Sequence, residues 1–387
     1  MKKERKPSRT ILANESTQER SMDGFLKEKL RERKKNGLLR SMTTNKGVDF
    51  LSNDYLGLAH SEELHQRIVD RINRESFLGN GGTGSRLLSG NHKAYGSLES
   101  HLKSVFKADA CLVFNSGYTA NQAVVSCVAS KGDTILYDRL SHVCLKEGAW
   151  LSKAKSYSFE HNDLEDLERR LKHAEGRIFV VTESVFSMDG DVAPLEELIA
   201  LCEHYKAHLI VDEAHSTGVF GENGAGYLVE KGLEERVFAR IYTFGKAMGT
   251  HGACIAGSEV LIEYLINFGR SFIYTTSLPP HSVFSIDESF HFLVERPAFQ
   301  NELKKKIALF KSIIETDSST AIQPILVPGN NKVREVARAL QASGFNVRPI
   351  VSPTVKEGTE RLRICLHSFN SDDDITELGH QLTKLIT

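Results

Sequence analysis

The feature that most constrains the fold is a regular alternation of short apolar runs and helical segments, which begins near residue 110. Helices are predicted over residues 118–129 and from Pro194 to Tyr205, where apolar residues recur with helical spacing. Apolar runs of strand length lie at residues 110–114, 134–137, 177–182, 208–212 and 240–243. This alternation is typical of βαβ units. We therefore predict an α/β fold whose large domain, residues 61–290, is doubly wound around a mainly parallel sheet.

The pattern changes after residue 290 to a smaller set of elements. A helix is predicted over residues 332–342, and a second helix closes the chain. Strands are predicted at residues 321–327, 345–350 and 361–366. These elements indicate a smaller α+β domain, residues 291–387. The charged residues 23–35 also have a helical period, and we expect the amino-terminal segment 1–60 to pack on the small domain.

Composition disfavours several classes of function. The 387 residues include 49 Lys plus Arg and 50 Asp plus Glu, a formal net charge of −1, so no overall field attracts nucleic acid or an anionic membrane. No apolar run approaches the roughly 20 residues of a membrane-spanning helix, and the first residues lack the apolar core of a secretory signal. The six cysteines form no CxxC pair, which argues against a zinc ribbon or a disulfide framework. We expect a cytoplasmic protein with no nucleic acid, membrane or metal partner.

The most glycine-dense stretch, residues 78–91, contains the spacing GxGxxG at Gly79, Gly81 and Gly84. A dinucleotide-binding fingerprint follows a strand and opens a helix, with an acidic residue about 20 positions later. Here the preceding residues 62–77 have a helical period, and no such acidic residue follows on a strand end. We therefore interpret the stretch as a loop, and an NAD-dependent oxidoreductase is disfavoured.

Several polar residues directly follow the predicted strands. Gly117 and Tyr118 lie between a strand and a helix, where helix N–H groups can hold a phosphate. Asp212 ends another strand and His215 follows it, whereas Lys246 follows the next strand with no other charged residue between positions 241 and 249. Because the carboxyl ends of parallel strands meet in one crevice, these groups should converge.

The converging groups match the needs of pyridoxal 5′-phosphate (PLP), which requires an anchored phosphate, a partner for its ring nitrogen and a lysine for a Schiff base. His142 and Ser187, which follow two other predicted strands, would face the same crevice. Each residue alone also fits an ordinary turn, a helix cap or a solvated surface charge. The prediction therefore depends on their convergence.

Four segments carry a resemblance to a known family: SNDYLGL, TESVFSMDGDVAPL, VDEAHSTGVFG and YTFGKAMGTHG. With these motifs in order, the chain resembles the α-oxoamine synthases from about Leu39 to its end. These are fold-type I PLP enzymes that condense an amino acid with an acyl thioester and release CO2. The resemblance implies a fold-type I transferase architecture, a PLP cofactor, amino acid and acyl-thioester substrates, and a homodimer.

The resemblance also implies roles for the strand-end residues. Lys246 would form the Schiff base with the cofactor and later move the Cα proton. Asp212 would pair with the ring nitrogen, His215 would bond the ring hydroxyl, and His142 would stack on the ring. Further cofactor contacts would come from Gly117, Tyr118, Ser187, Thr243 and Thr276, the last reaching the phosphate bound by the neighbouring subunit.

On the substrate side, Arg363 matches the arginine that holds the amino acid carboxylate, a task suited to its bidentate fork. Asn53, Arg40 and Thr354 match further substrate positions, and Val351 stands where some members of the family carry an arginine. The resemblance leaves open the amino acid, the acyl chain, and whether coenzyme A or acyl carrier protein carries that chain. A non-catalytic subunit of the same fold is a further alternative, which the presence of Lys246 disfavours.

Overall fold

A computed structural model describes residues 23–42, 44, 46–75 and 79–386. The chain divides into two units, residues 1–45 and 46–387. The described part of the first unit contains one helix, α1 (Gly24–Lys35), none of whose residues is buried. Its helical period was therefore predicted correctly, whereas residues 1–22 of the predicted amino-terminal segment lie outside the described residues.

The second unit contains the remaining α-helices and the strands. They are β1 (Val48–Asp49), α2 (Glu62–Arg74), α3 (Lys93–Val105), β2 (Ala110–Phe114), α4 (Gly117–Val128), β3 (Thr134–Asp138), α5 (Val143–Leu151), β4 (Lys155–Phe159), α6 (Leu164–Leu171), β5 (Ile178–Glu183), α7 (Leu195–His204), β6 (His208–Asp212), α8 (Tyr227–Lys231), β7 (Ala239–Thr243), β8 (Ala253–Gly257), α9 (Glu259–Phe268), α10 (Arg270–Ile273), α11 (Pro280–Glu295), α12 (Ala298–Ile313), β9 (Ile322–Leu326), α13 (Asn330–Ala342), β10 (Phe345–Asn346), β11 (Pro349–Ile350), β12 (Arg361–Cys365) and α14 (Asp372–Ile386).

A seven-stranded sheet forms the centre of this unit, with the strand order β2-β8-β7-β6-β5-β3-β4. The strands from β7 to β4 pair in parallel, and β8 runs antiparallel between β2 and β7. The predicted α/β fold with a mainly parallel sheet is therefore confirmed. The strands β4 and β8 had not been predicted.

Helices cover both faces of the central sheet. In β6, Ile210 packs into a core cluster with residues of α4, α5 and α9, whereas Leu209 and Val211 pack into a second cluster with residues of α6 and α7. Side chains of a strand alternate between the two faces, so a strand that is covered on both faces is apolar throughout. This burial explains why the central strands were recognisable as continuous apolar runs.

The carboxyl-terminal region forms a three-stranded antiparallel sheet in the order β11-β12-β9. The single strand predicted over residues 345–350 is wrong, because β10 pairs in parallel with β1 while β11 pairs with β12. Pro349 lacks the N–H that a continuous ladder needs, and the chain changes partners there. Asn370 Nδ2 also donates to the backbone oxygen of Asp49, which fixes the start of this unit beside its end.

The glycine-dense stretch is a loop, as predicted, over its described residues 79–91. It follows helix α2 rather than a strand, so the structural context of a dinucleotide fingerprint is missing. A Cβ atom added at Gly82 or Gly90 would lie 2.3 Å from Ser277 Oγ, and the two glycines thus allow the loop to approach the segment before α11. Among the described residues, no helix has both the length and the apolar character to cross a membrane.

His161, which follows β4, links the ends of three neighbouring strands at the carboxyl edge of the sheet. Asp138 at the end of β3 is fully buried, and His161 Nδ1 lies 3.0 Å from its Oδ1. His161 Nε2 lies 2.7 Å from Asp191 Oδ2, in the turn that follows β5. Burial opposes a charged ring, but the hydrogen bonds to both carboxylates raise the pKa of His161 to about 9. The protonated ring therefore pairs with the buried carboxylate of Asp138 and offsets its charge.

This arrangement predicts a pH-dependent contribution to stability. Because the pKa of His161 is higher in the folded protein than its ordinary value of 6.5, the stabilisation is complete below pH 6.5 and is lost as the pH rises through 9. We expect His161→Ala to lower the free energy of unfolding by about 2–3 kcal/mol near pH 6 and by less near pH 10. Urea-induced unfolding at a series of pH values measures this difference.

His173→Ala, which removes an exposed histidine, is the matched control and should leave the free energy of unfolding unchanged. A difference between wild type and His161→Ala that stays constant from about pH 6 to about pH 10 would contradict the charged pairing.

Candidate active site

A cleft of about 310 Å³ opens at the carboxyl edge of the central sheet. The predicted residues that line it are Gly117, Tyr118, His142, Asp212, His215, Thr243 and Lys246. They lie at the ends of four strands of one sheet or just after them, and the parallel direction of these strands gathers them at one edge. The predicted convergence of these groups is therefore present in the structure.

Asp212 is the last residue of β6, and only 3% of its surface is exposed. Its Oδ2 accepts a hydrogen bond from Asn121 Nδ2 at 2.6 Å, and its Oδ1 accepts one from the backbone N–H of Ala214 at 2.8 Å. A buried carboxylate needs such donors, because it has lost its hydration. Since a carboxylate offers about four lone-pair sites, Asp212 is fixed in orientation and retains acceptor capacity toward the cleft.

Lys246 lies half-buried in the connection between β7 and β8, close to two carboxyl groups. Burial lowers the pKa of its ammonium group, although Asp212 and Glu183 oppose the change. Burial and the neighbouring Asp212 also raise the pKa of Glu183 to about 8, so Glu183 holds a proton in most molecules at pH 7. A lowered pKa increases the neutral fraction of Lys246, which is the form that attacks a carbonyl carbon.

A hydrogen-bonded chain leads from the cleft to strand β12. Burial keeps the pKa of His215 well below its ordinary value, and the Tyr55 hydroxyl lies 2.8 Å from His215 Nδ1. Arg363 Nη2 donates to the Tyr55 hydroxyl at 3.3 Å and to Asn53 Oδ1 at 2.9 Å, while Arg363 Nε donates to the backbone oxygen of Ser187 at 2.5 Å. The guanidinium is thus held in one orientation next to a neutral imidazole.

The first turn of α4 borders the cleft at the end of β2. Ser116 caps the helix: its Oγ accepts the N–H of Thr119, and the Thr119 side chain accepts the N–H of Ser116 in return. A Cβ atom added at Gly117 would lie 2.3 Å from Thr243 Cγ2. The missing side chain at Gly117 therefore lets the helix terminus approach β7 closely, and such a terminus favours an anionic group.

His142 precedes α5 and lies opposite Tyr118, with the two ring centroids 6.4 Å apart and nearly perpendicular. Its Nδ1 is 2.9 Å from Cys144 Sγ, a contact that could suggest a Cys–His nucleophile pair. However, burial and the Asp212 charge raise the pKa of Cys144 to about 12, so the thiol stays protonated. A nucleophilic cysteine needs the thiolate form, and the pair therefore does not serve nucleophilic catalysis.

The donor set of the cleft fits PLP. A helix terminus beside a glycine suits a phosphate, a buried carboxylate with acceptor capacity suits a ring N–H, and a half-buried lysine with a lowered pKa suits an aldehyde. The buried Oδ1 of Asn121, which lines the same cleft, has no hydrogen-bond partner among the described residues. It is an unsatisfied acceptor where a ligand would lie.

Comparison with known proteins agrees with this chemistry. Residues 45–382 match the model of the family "Aminotransferase class I and II". The chain belongs to this family. The 8-amino-7-oxononanoate synthase of Marinobacter nauticus is 38% identical over 384 residues, which cover 94% of this chain and 96% of that protein. The synthase of Emericella nidulans is 37% identical over 91% of this chain and 93% of its own length.

Solved structures also superpose over most of the chain. A serine palmitoyltransferase from S. paucimobilis with bound PLP and myriocin gives a TM-score of 0.84 at 25% identity, covering 94% of this chain and 97% of that one. An 8-amino-7-oxononanoate synthase from Francisella tularensis gives 0.74 at 28% identity, covering 87% and 97%. The chain is thus a PLP-dependent acyltransferase of the α-oxoamine synthase type, and the fold and cofactor predicted from sequence are confirmed.

Some of the predicted site residues lie outside the lining of the cleft in this α-oxoamine synthase. Ser187 contributes its backbone oxygen to Arg363, and the backbone oxygen of Thr276 accepts from Asn115 Nδ2 at 2.5 Å. Thr354 is exposed in the connection between β11 and β12. Arg40 is exposed in the unit of residues 1–45. Most of the predicted cofactor residues thus line one cleft, whereas the predicted substrate residues do not line it.

Sequence reasoning had not proposed Asn121, Tyr55, Cys144 or Glu183 as site residues. A signal for Asn121 was available, because it lies four residues after Gly117 and therefore on the same face of α4. Tyr55 lies within the SNDYLGL motif. No local feature of the sequence indicates that Cys144 lies at the cleft, because its position depends on the packing of α5 against α4.

The contact between Gly117 and Thr243 predicts the effect of a paired substitution. We expect Gly117→Ala to weaken PLP binding at least tenfold, because the new methyl group meets Thr243 Cγ2 and displaces the helix terminus. Thr243→Ser removes that methyl group and keeps the hydroxyl, so the double variant should recover most of the affinity. Titration of the apoprotein with PLP, followed by cofactor absorbance, measures both effects.

Gly96→Ala is the matched control, since an added Cβ atom meets nothing within 4 Å at that helical position. Equal PLP affinities for Gly117→Ala and wild type, or a double variant no better than the single one, would show that the close approach has no part in binding the cofactor.

Proposed function

We propose that this enzyme condenses L-alanine with a pimeloyl thioester to form 8-amino-7-oxononanoate in biotin biosynthesis. A carbon–carbon bond forms between Cα of alanine and the thioester carbonyl carbon, the thiol leaves, and the alanine carboxyl group departs as CO2. The names and coverage of the curated relatives support these substrates. The observation that carries the chemistry is Lys246, half-buried beside Asp212 in a cleft whose hydrogen bonds lead to Arg363.

The geometry of the cleft supports several of the proposed cofactor contacts. Lys246 Nζ would bind the aldehyde, Asp212 would accept from the ring nitrogen, and His215 would form a hydrogen bond with the ring oxygen. His142 would lie against the ring. The remaining contacts are proposed for Gly117, Tyr118, Ser187, Thr243 and Thr276. Bound PLP supplies an electron sink for the pair of electrons left when the Cα proton is removed.

Lys246 is the group best placed to move that proton. Its amine lies within the fields of Asp212 and Glu183, and burial has already lowered its pKa. A base is most effective when its pKa is near the working pH. Glu183, with a pKa of about 8, accepts the backbone N–H of His142 at 2.5 Å and so holds the start of α5 at the cleft.

Arg363 is proposed to bind the carboxylate of the amino acid substrate. Its side chain is 7% exposed and is held by Asn53 and the backbone oxygen of Ser187, so little conformational freedom is lost when it binds. Asn53 would share this contact, and Arg40 and Thr354 are proposed on the acyl side. The carrier of the acyl group is proposed to be coenzyme A or acyl carrier protein.

We further propose a cytoplasmic homodimer in which Thr276 contacts the phosphate of the cofactor bound by the neighbouring subunit.

We also propose that the chain consists of an amino-terminal segment, residues 1–60, a large domain, residues 61–290, and a small domain, residues 291–387. The pairing of Val48 with Phe345 supports it for the residues after position 46.

A sister activity is the second candidate. Serine palmitoyltransferase from S. paucimobilis superposes with a higher TM-score than the F. tularensis synthase, 0.84 against 0.74. The other sister enzymes are glycine C-acetyltransferase and 5-aminolevulinate synthase, which use glycine. The fold therefore accommodates different amino acids, and the choice rests on side chains around the bound substrate.

The test is thiol release from pimeloyl-coenzyme A by the PLP-loaded protein, with L-alanine, glycine and L-serine in parallel. We expect release that depends on L-alanine. Release with only glycine or serine would contradict the proposed substrate and keep the mechanism. No release with any pair, including pimeloyl-acyl carrier protein, would contradict the catalytic proposal.

Lys246→Ala should reduce thiol release by at least a thousandfold without unfolding the protein, because the base and the covalent anchor are lost together. Lys131→Ala, which removes an exposed lysine, is the matched control. A Lys246→Ala variant with the wild-type rate would exclude the assigned role.

Arg363→Lys tests the carboxylate site. A single ammonium group cannot reproduce a bidentate fork, so the KM for the amino acid should rise about 10- to 100-fold while the KM for the acyl thioester changes little. Arg296→Lys, at an exposed position, is the control. Equal increases in both KM values would instead indicate a general disturbance of the cleft.

A further inference from the structure

Three potential metal ligands meet on helices outside the cleft. His101 lies on α3, and Asp287 and His291 lie on α11. The ligand atoms of these three side chains all lie within 4.8 Å of one another. None of the three lines the cleft or takes part in the proposed reaction.

The helices explain why these side chains meet. Asp287 and His291 are four residues apart on α11, which places them on the same face one turn apart. Helix α3 packs against α11 and presents His101 to that face, with the His101 and His291 rings stacked at a centroid distance of 4.1 Å. Two imidazoles and a carboxylate from two packed helices thus lie within reach of one another.

The distances suit a tetrahedral ion. His101 Nδ1 lies 2.7 Å from Asp287 Oδ1, and His291 Nε2 lies 3.8 Å from the same oxygen. Neighbouring ligands around zinc, with bonds of 2.0–2.1 Å, are separated by about 3.3 Å. The observed distances lie on either side of this value. A metal ion lies in the plane of each imidazole that binds it, so the His291 ring must turn out of its stack on His101. The His291 side chain is 47% exposed and can make this movement.

The local charges permit a bound cation. The nearest cationic side chain, Arg71, has its Nη2 3.6 Å from Asp287 Oδ2, the oxygen opposite the one that faces the histidines. Arg71 also pairs with Glu75 at 3.0 Å and with Glu288 at 3.2 Å, so its charge is shared among three carboxylates. The Oδ1 of Asp287 remains directed at the two imidazoles.

We propose that His101, Asp287 and His291 form a binding site for a divalent transition-metal ion, with zinc as the best match to the two-histidine, one-carboxylate donor set. The ion takes the position of the proton shared by His101 and Asp287 and cross-links α3 to α11. A water molecule completes the coordination on the exposed side, where His291 borders solvent. Protons compete with the ion for the imidazole nitrogens, and the affinity therefore falls as the pH is lowered.

The test uses the PLP-loaded protein after treatment with a chelator and dialysis. Isothermal titration with zinc chloride should show one ion per chain, and cobalt(II) should give the visible absorbance of a tetrahedral site. His291→Ala and His101→Ala should each weaken zinc binding at least tenfold. His281→Ala, an exposed histidine on the same helix, should bind zinc as wild type does.

Thermal unfolding provides a second readout. Zinc at about one hundred times its dissociation constant should raise the Tm of the wild-type protein by about 3 °C and leave that of His291→Ala unchanged. Because His291 is half-exposed, its substitution is expected to preserve the fold, which the PLP absorbance verifies. The proposal is overturned if zinc does not bind saturably, or if the His101 and His291 variants retain the wild-type affinity.

Discussion

The buried carboxylate of Asp212, at the end of the central strand β6, is the constraint on which the organisation of the cleft depends. Helices cover both faces of the sheet, so the strand ends lie in a region from which water is largely excluded. A carboxylate buried in such a region needs hydrogen-bond donors and a nearby positive charge. Asn121, the turn after β6 and Lys246 meet this need, while Glu183 reduces the repulsion by keeping its proton.

The second organising feature is the chain of hydrogen bonds through Tyr55. It connects His215 in the cleft to Arg363 on β12, and Arg363 in turn binds Asn53. Residues separated by more than 300 positions in sequence are therefore fixed against one another. The turn after β5 is bound to the same strand, β12, by two contacts: the backbone oxygen of Ser187 accepts a hydrogen bond from Arg363, and Asp189 forms an ion pair with Arg361. The binding geometry thus depends on the carboxyl-terminal sheet as much as on the central one.

The strands of the central sheet that sequence reasoning recovered share one physical property: they are buried on both faces. Strands such as β5 and β6 are apolar throughout and stand out from their surroundings. By contrast, β4 is an edge strand with alternating exposure, and β8 is a short run of small residues between antiparallel partners. Residues 345–350 form two short strands that belong to different sheets, and no local pattern in the sequence predicts this change of partner. Among the site residues, the position of Asn121 could have been predicted from the helical period of α4, whereas the position of Cys144 could not.

Local spacing in the sequence was enough to establish the α/β class, the strand ends that carry Gly117, Asp212 and Lys246, and the cofactor that those groups suit. Periodicity and turn residues are encoded over a few positions, which is why they can be read directly from the chain. The protonation of Glu183, the orientation of Arg363 and the meeting of His101 with Asp287 were decided only by tertiary structure. Each depends on burial and on partners that are distant in sequence, and these exist only once the helices and sheets have packed.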